Sequence, residues 1–343
     1  MSEINGTLMK TALASLAVVA MTLARPAIAE TVRYDPGDTV YYTYCYSHPV
    51  ASRIKSGDTV VTRTRDASND VFSVSDKTFS AKIDFAKVNP QTGPFYVEGA
   101  EPGDTLAVHL DKIEPNRDWG WGASIPFFGA LGPEFKTMMV TPPAPDRLFI
   151  WRFDKSRNVA TLDLPNSKIG RIEVPMRPFL GTVGTAPNGK ECISSLYPGP
   201  YGANMDFRDV IAGATLLFPV NEPGALFFLG DGHAAQGDGE IDGAAIETSM
   251  DVQFTVNLIK GKKIAWPHMV TDTEIMSIGS TRPLIDALRL ACTDLVNWLS
   301  QDYGYEKYEA VELLGQAGKL KIANVVDPQY SVACAVEKKY LPQ

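Results

Sequence analysis

The sequence predicts a mainly β protein, in which a β-sandwich core carries a smaller C-terminal α+β portion over about residues 262–343. Three observations support this prediction. The 343 residues include 28 glycines and 24 prolines, a content typical of turn-rich β proteins. Short segments in which polar and apolar residues alternate fill most of the chain. Helical periodicity is found only near the C-terminus.

The N-terminus has the pattern of a secretory signal peptide. Lys10 precedes an apolar run over residues 11–23, and Ala27-Ile28-Ala29 supplies the small residues of a cleavage site. The run is shorter than the ~20 apolar residues of a membrane span. We therefore expect residues 1–29 to be removed, leaving a mature chain of residues 30–343 that is periplasmic or secreted. An uncleaved membrane anchor is the alternative.

Turns that lead into alternating strands dominate the N-terminal half. Residues 101–104, Glu-Pro-Gly-Asp, form such a turn before the alternating pattern of residues 105–110. The longest alternation covers residues 246–258. It predicts a strand with one buried and one polar face, with Glu247 at the start of the polar face.

Two helices are predicted in the C-terminal portion. Pro283 suits a first helical turn, and apolar residues then recur at i, i+3 and i+4 spacing up to Leu299. A second helix is expected over residues 306–314, ending at the next glycine. Strands around residues 320–326 and 331–336 close the chain.

The charge of the chain excludes some partners. A formal net charge of −8 and an isoelectric point near 5.1 argue against nucleic acid or an anionic membrane surface. We expect no membrane partner for the mature form, because no further segment of the sequence is long and apolar enough to cross one. A small neutral or cationic ligand suits this charge.

Four cysteines allow three complete sets of disulfides, which the sequence does not separate: Cys45, Cys192, Cys292 and Cys334. Export favours such bridges. Cys292 with Cys334 is the favoured pair, because both lie in the C-terminal region. Buried free thiols are the alternative. The spacing does not fit a zinc ribbon or a redox motif.

Residues 228–240 form the segment richest in chemistry, a glycine-studded loop after an apolar run. It contains Asp231, His233, Asp238 and Glu240. Carboxylate oxygens and a neutral imidazole are the donors that hold Zn²⁺ and similar ions. Asp231 and His233 are two residues apart, so both side chains project to the same side of an extended segment. The segment predicts a metal-centred catalytic loop; an ordinary turn aspartate and a hydrogen-bonded loop histidine are the alternatives.

Further acidic residues are candidates for the same centre. Asp206 lies two residues after Asn204 on a loop rich in Pro and Gly, and we expect it to face the site. Glu247 could return along its strand as a ligand or a general base, the alternative being a solvated strand edge. Glu98 could act as a base. No Gly-x-Ser-x-Gly, P-loop or dinucleotide motif occurs, which weakens serine-nucleophile and nucleotide-binding hypotheses.

Taken together, these clusters resemble the acetamidase/formamidase family. The resemblance is carried, in order along nearly all of the mature chain, by residues 93–104, 177–181, 202–206, 230–240 with 245–247, and 325–328. It implies a jelly-roll-like β-sandwich with a smaller α+β portion, often in homo-oligomers. It also implies metal-dependent hydrolysis of a small linear amide, such as formamide or acetamide, to a carboxylate and ammonia.

The resemblance and the local chemistry together assign roles to the candidate residues. A divalent ion, Zn²⁺ or alternatively Ca²⁺, can polarise an amide carbonyl and lower the pKa of bound water toward ~7. The expected metal ligands are Asp206, Asp231 and His233. The expected catalytic acids and bases are Glu98, Glu240 and Glu247. The expected substrate-binding residues are Tyr201, Asn204 and Gln236.

Two positions depart from the family pattern. Tyr201 stands where the family pattern has a histidine, and Asp242 stands where a small or thiol residue is more usual. If that histidine binds metal or substrate in relatives, Tyr201 changes the site. The leading hypothesis is an exported metal-dependent amidohydrolase. The alternative is a catalytically inactive, exported metal- or ligand-binding protein on the same scaffold.

Overall fold

The computed structural model describes residues 29–132 and 144–342. The predicted signal peptide therefore lies outside the described residues, apart from its last position. None of the helices in the described residues is long and apolar enough to span a membrane.

Strands form most of the regular structure. In the first half of the chain they are β1 (Thr31–Arg33), β2 (Thr43–Cys45), β3 (Ser52–Ile54), β4 (Thr59–Arg63), β5 (Gln91–Val97), β6 (Thr105–Pro115), β7 (Trp119–Ser124), β8 (Arg147–Asp154), β9 (Val159–Leu164) and β10 (Gly170–Pro175). In the second half they are β11 (Phe179–Gly184), β12 (Cys192–Ser194), β13 (Gly202–Asn204), β14 (Thr215–Pro219), β15 (Phe227–His233), β16 (Met250–Ile259), β17 (His268–Val270), β18 (Glu274–Thr281), β19 (Lys319–Asn324) and β20 (Tyr330–Glu337).

Two large sheets face each other across the main core. One has nine strands in the order β1-β4-β16-β6-β14-β17-β18-β20-β19, and the other has five in the order β13-β11-β15-β5-β3. The largest apolar cluster draws buried residues from both sheets, among them Phe95 and Phe227 from the smaller sheet and Leu106 and Phe254 from the larger. The prediction of a mainly β protein with a sandwich core is confirmed.

A smaller sheet, β10-β9-β8-β7, and the pair β12-β2 complete the β structure of the described residues. In β16 the buried positions alternate, from Met250 through Val252 and Phe254 to Val256, as a strand with one core face requires. This strand begins at Met250, so Glu247 precedes it. The expectation that Glu247 opens a polar strand edge is wrong, because its side chain is buried.

The C-terminal portion continues the large sheet. Helices α1 (Leu284–Tyr303) and α2 (Lys307–Ala317) pack on its outer face, mainly against β18 and β20. Helix α1 starts at Leu284, one residue later than predicted, because Pro283 is its N-cap and not its first helical residue. Helix α2 does not end at Gly315 but continues to Ala317 and is capped by Gly318. Short 3₁₀ turns lie at Phe85–Lys87, Asn188–Lys190 and Lys338–Tyr340.

The cysteines form two pairs. Cys292 on α1 lies against Cys334 on β20, with Cα atoms 5.2 Å apart, which is the predicted pair. Cys45 and Cys192 face each other in the β2–β12 pair. The structure thus selects one of the three possible pairings, and it contains no free cysteine among the described residues.

Candidate metal and catalytic centre

The site is built around β11, which lies between β13 and β15. Thr182 of β11 pairs with Asn204 at the end of β13, and Phe179 pairs with His233 at the end of β15. Asp206 follows β13, and its backbone N–H donates to the carbonyl of Gly181 on β11. Sheet pairing therefore brings residues that are far apart in sequence to one place.

Two further segments reach the same place after β15. Glu247 forms a β-bridge with His233, and Gly239, next to Glu240, forms one with Asn324 at the end of β19. The second bridge places the turn after β19, which contains Asp327, beside Glu240. The result is a cluster of acidic residues around one histidine, all at most 7% exposed: Asp206, Asp231, His233, Glu240, Glu247 and Asp327.

The histidine is the centre of this cluster. Nε2 of His233 lies 3.3 Å from Oδ1 of Asp231 and 3.2 Å from Oε2 of Glu247. Two sets of three potential ligand atoms lie within 4.8 Å of one another, Asp231 with His233 and Glu247, and Asp206 with His233 and Glu240. The predicted ligands Asp206, Asp231 and His233 are therefore brought together.

Four buried atoms of the cluster have no hydrogen-bond partner: Oδ1 of Asp206, Oδ1 of Asp231, Nε2 of His233 and Oε2 of Glu247. Buried polar atoms are nearly always hydrogen-bonded, because leaving one unpaired costs about 1–3 kcal/mol. Nitrogen and carboxylate oxygen donors that converge without partners fit a divalent cation. The residues present therefore fit the metal that the sequence predicts.

The second polar atom of each carboxylate is held by the protein. Oδ2 of Asp231 accepts from Thr182 Oγ1 at 3.0 Å and from Asn89 Nδ2 at 3.2 Å. Oε1 of Glu247 accepts from the backbone N–H of Ala245 at 2.9 Å. Such bonds fix the direction in which the unpaired oxygen points.

Asp206 is held in the same way by two amide side chains. Its Oδ2 accepts from Nδ2 of Asn204 at 3.0 Å and from Nδ2 of Asn324. Both amides also donate to Oδ2 of Asp327. Oδ1 of Asn204 accepts from Nδ2 of Asn89 and shares the single hydroxyl proton of Thr182 with Asp231. Asn204 therefore lies in the site, as predicted, but its polar atoms bind protein groups rather than projecting toward a substrate.

Gln236 holds the histidine ring. Its Nε2 donates to the carbonyl of Asp206 at 2.8 Å and to that of Ala323 at 3.2 Å, so its Oε1 faces Nδ1 of His233 at 2.9 Å. A carbonyl oxygen only accepts, so Nδ1 carries a proton and Nε2 is the ring nitrogen that can bind a metal. The expectation that Gln236 binds substrate is corrected, since its amide is fully occupied by protein partners.

The backbone around the cluster adopts strained conformations. Asn89, Asp206, Asp231 and Glu240 have φ values of 49°, 43°, 57° and 53°, in the left-handed region that non-glycine residues rarely enter. Such outliers concentrate at functional sites. Gly181 is needed for space, because a Cβ there would lie 2.4 Å from Oδ1 of Asp206 and 2.6 Å from Oδ2 of Asp231.

Burial shifts the proton affinities of the cluster. Burial raises the pKa of Glu247 to about 7 and, with the charge of Glu240, that of Asp327 to about 8. Burial and neighbouring carboxylates also raise the pKa values of Asp206 and Glu240. These acids cannot all ionise together without a cation among them.

The pKa values of His233 and Asp231 shift in the direction opposite to the effect of burial. Burial lowers the pKa of His233, but the charges of Glu247 and Asp231 outweigh it and raise that pKa. Burial raises the pKa of Asp231, but the positive charge of His233 outweighs it and lowers that pKa. Without a metal, His233 is therefore protonated and pairs with Asp231, and a metal ion that binds Nε2 would replace that proton.

A pocket of about 160 Å³ opens onto the cluster. Its polar lining consists of Asn89, Asn204, Asp206, Asp231, Glu240, Glu247 and Asp327. The rest of the lining is mainly apolar and comes largely from the long loop between β4 and β5 and from the segment after β7. A small molecule in this pocket can therefore reach the carboxylates.

Two predicted site residues lie elsewhere. Glu98 is exposed in the turn after β5, where its backbone N–H donates to Ile54, and it does not line the pocket. Tyr201 is buried against Tyr44, and its hydroxyl donates to the carbonyl of Tyr197 at 2.7 Å. The expected roles of Glu98 as a base and of Tyr201 in substrate binding are therefore corrected, because neither side chain reaches the cluster.

Several residues of the site have no functional motif in the sequence and were not predicted. Asp327 lies in residues 325–328, which were singled out only as part of the family resemblance. Asn324 directly precedes that segment. Asn89 and Thr182 are single polar residues without a motif, so no signal in one sequence marks them. They were found only because strand pairing places them against the carboxylates.

Comparison with known proteins identifies the family of this chain. The family model of the Acetamidase/Formamidase family matches residues 39–194 and 188–339. The acetamidase of Mycolicibacterium smegmatis is 25% identical over 78% of this chain and 82% of its own length. The formamidase of Methylophilus methylotrophus is 26% identical over 78% of this chain and 81% of its own.

A solved structure gives the same result for the fold. The acetamidase from Yersinia enterocolitica superposes with a TM-score of 0.84 at 36% sequence identity, covering 93% of this chain and 95% of that protein. The match spans both the sandwich and the C-terminal portion. The chain therefore belongs to the acetamidase/formamidase family of amide hydrolases.

Proposed function

We propose that the protein is an exported, divalent-metal-dependent amidase that converts a carboxamide to a carboxylate and ammonia. One observation carries the proposal. Asp206, Asp231, His233 and Glu247 each have one polar atom held by protein and one buried atom without a partner. That division between an anchored and a free atom is what metal ligands require.

The chemistry of the free atoms favours Zn²⁺ over Ca²⁺. Nε2 of His233 would be a nitrogen donor to a metal that replaces its proton, and Ca²⁺ takes oxygen ligands instead. Asp231 and His233 would hold the ion together with Asp206 or Glu247. When bound, a divalent ion supplies Lewis acidity that polarises an amide carbonyl and acidifies water.

Glu240 is the residue suited to move the proton. It lines the pocket, it is buried, and burial together with Asp206 raises its pKa. A carboxyl group with a raised pKa can accept a proton from the attacking water and donate it to the departing nitrogen. The water oxygen then bonds to the carbonyl carbon, the C–N bond breaks, and ammonia leaves. Glu247, predicted as a catalytic acid or base, fits a ligand role better, because its free oxygen contacts His233.

Export is supported by two independent features. The N-terminal residues have the pattern of a signal peptide, and all four cysteines are paired in the fold. Disulfides form and persist mainly in oxidising compartments such as the periplasm. The disulfides therefore agree with a periplasmic or secreted location.

The inactive-scaffold alternative was motivated by changes such as Tyr201, and the side chain of Tyr201 does not reach the cluster. Ammonia release by purified residues 30–343, before and after chelation, tests the proposal. We expect release that disappears on chelation and returns with Zn²⁺. Ammonia release that survives complete removal of metal would contradict the metal dependence. No release from any amide by the metal-loaded protein would contradict the activity.

A further inference from the structure

The pocket above the cluster divides into a polar floor and an apolar wall. The acidic residues of the floor are at most 7% exposed, whereas Phe85 on the wall is 57% exposed and stands at the mouth. The aromatic and branched side chains of the wall include Phe79, Ile83, Phe85, Trp121, Ile125 and Phe128. A molecule that enters therefore meets apolar groups outside and carboxylates inside.

The wall is a fixed part of the fold. The loop between β4 and β5 closes on itself where the N–H of Asn89 donates to the carbonyl of Ala67 at 2.8 Å. At its start the buried carboxylate of Asp66 accepts from Arg117 at 2.6 Å and from the indole N–H of Trp121 at 3.1 Å. In its middle the backbone N–H of Phe79 donates to Asp146 at 2.8 Å. Hydrogen bonds at three points thus define the shape of the wall.

The aromatic rings of the wall support one another. Phe79 packs on Trp121 with ring centroids 5.8 Å apart and on Phe85 at 6.0 Å. Phe72 lies against both Phe79 and Trp121 from the other side. Phe85 is the exposed end of this aromatic cluster, and it lines the pocket, so an apolar ligand there would contact it.

The space exceeds the needs of the smallest amides. One water-sized group needs about 10–15 Å³ of cavity volume. The pocket volume of about 160 Å³ therefore accommodates on the order of ten such groups. Acetamide would leave most of this space and most of the wall without contact. None of the described residues that line the pocket is a lysine or arginine, so the wall does not match an anionic substituent.

We propose that the preferred substrate is a primary amide with a bulky apolar acyl group, of the size of benzamide, rather than formamide or acetamide. This inference rests on the proposed amidase function. The carboxamide group would face the carboxylates of the floor, and the acyl group would contact the apolar wall. Binding energy from that contact would increase kcat/KM, because each methylene-sized group in an apolar pocket contributes about tenfold or more.

The test compares amides of increasing acyl size on zinc-loaded residues 30–343. We expect kcat/KM for ammonia release from benzamide to exceed that from acetamide by about tenfold or more. In Phe85→Ala the benzamide-to-acetamide ratio of kcat/KM should fall about five- to tenfold, because the variant removes apolar contact from the mouth. Tyr308→Ala is the control: Tyr308 lies on α2, is 81% exposed, and does not line the pocket, so the ratio should stay unchanged.

The outcomes separate this inference from the proposed function. A kcat/KM for acetamide or formamide above that for benzamide would overturn the inference and leave the amidase intact. An unchanged ratio in Phe85→Ala would also overturn it. If the metal-loaded protein releases no ammonia from any amide, the proposed function fails. Calorimetry then decides the inference: tighter binding of benzamide than of acetamide supports it, and equal or weaker binding overturns it.

Discussion

Oε1 of Gln236 lies 2.9 Å from Nδ1 of His233, and this contact determines which ring nitrogen carries the proton. The amide nitrogen of Gln236 is committed to two backbone carbonyls, so the glutamine cannot flip without losing both bonds. The ring is thereby held with Nε2 toward Asp231 and Glu247. Gln236 is thus a positioning residue for the proposed metal ligand.

Replacing Gln236 tests this arrangement. Gln236→Ala should lower the affinity for Zn²⁺ by about 10–100-fold, the usual effect of removing a group that orients a ligating histidine. Competition with a chromogenic chelator measures the change. Gln253→Ala on β16 is the matched control, since Gln253 belongs to a strand remote from the pocket lining and should leave the affinity unchanged. Equal affinities in wild type and Gln236→Ala would contradict the positioning role.

Gly181 offers a second test, based on space. In Gly181→Ala the new methyl group would overlap the carboxylates of Asp206 and Asp231, so we expect loss of metal binding and a stability cost of about 1–3 kcal/mol. Gly315→Ala is the control, because its Cβ would meet nothing within 4 Å and it lies inside α2. That control should gain about 0.5–1 kcal/mol. Denaturant unfolding and metal content are the two measurements, and full zinc occupancy in Gly181→Ala would be incompatible with the proposed centre.

The raised pKa values predict how the stability of the metal-free protein depends on pH. Glu247 and Asp327 have folded-state pKa values of about 7 and about 8, above their ordinary values of 4.5 and 3.8. At pH values between the ordinary and the folded-state pKa of each group, the folded state therefore binds more protons than the unfolded state. The stability that these two groups contribute is fully present below about pH 4, and it is lost as the pH rises to about 8.

Thermal unfolding of the metal-free protein from pH 5 to pH 8 measures this effect. We expect Tm to fall across that range, and to fall less in Asp327→Asn, which removes one of the titrating acids. Bound zinc should remove most of the dependence, because a cation stabilises the ionised carboxylates. A Tm of the metal-free protein that rises steadily from pH 5 to pH 8 would contradict the buried acidic cluster.

The two disulfides differ in the length of chain that they close. Cys45 and Cys192 are 147 residues apart, and Cys292 and Cys334 are 42 apart. Loop-closure entropy then predicts that Cys45→Ser costs about 1 kcal/mol more stability than Cys292→Ser. Urea unfolding of both variants measures the difference. Non-reducing peptide mapping is the companion check, and any other pairing of the four cysteines would refute the assignment.

Local pattern was enough to predict much of the fold. Alternation over residues 246–258 identified β16, and apolar spacing after Pro283 identified α1, because one buried face leaves a period of two or of 3.6 in the sequence. The end of α2 was predicted too early, since Gly315 is tolerated inside a helix at modest cost. The order of strands in the sheets was beyond prediction, because pairings such as β4 with β16 join residues almost two hundred positions apart.

The candidate site was predictable where its residues cluster in sequence. Asp231 and His233 share one strand end, so their chemistry was visible from spacing alone. Glu98 and Tyr201 were misplaced, because residue type and a neighbouring glycine do not show which side of a sheet a turn faces. Thr182 and Asn89 were missed for the converse reason: ordinary polar residues acquire a role only through long-range pairing.

The central claim is that His233, with its carboxylate neighbours, holds a divalent metal. Anomalous diffraction at the zinc edge from crystals of zinc-loaded residues 30–343 tests it most directly. We expect a peak about 2.0–2.1 Å from Nε2 of His233, with carboxylate oxygens of Asp231 and of Asp206 or Glu247 at about 2.0–2.2 Å. A protein that binds zinc only elsewhere, with no peak beside His233, would contradict it.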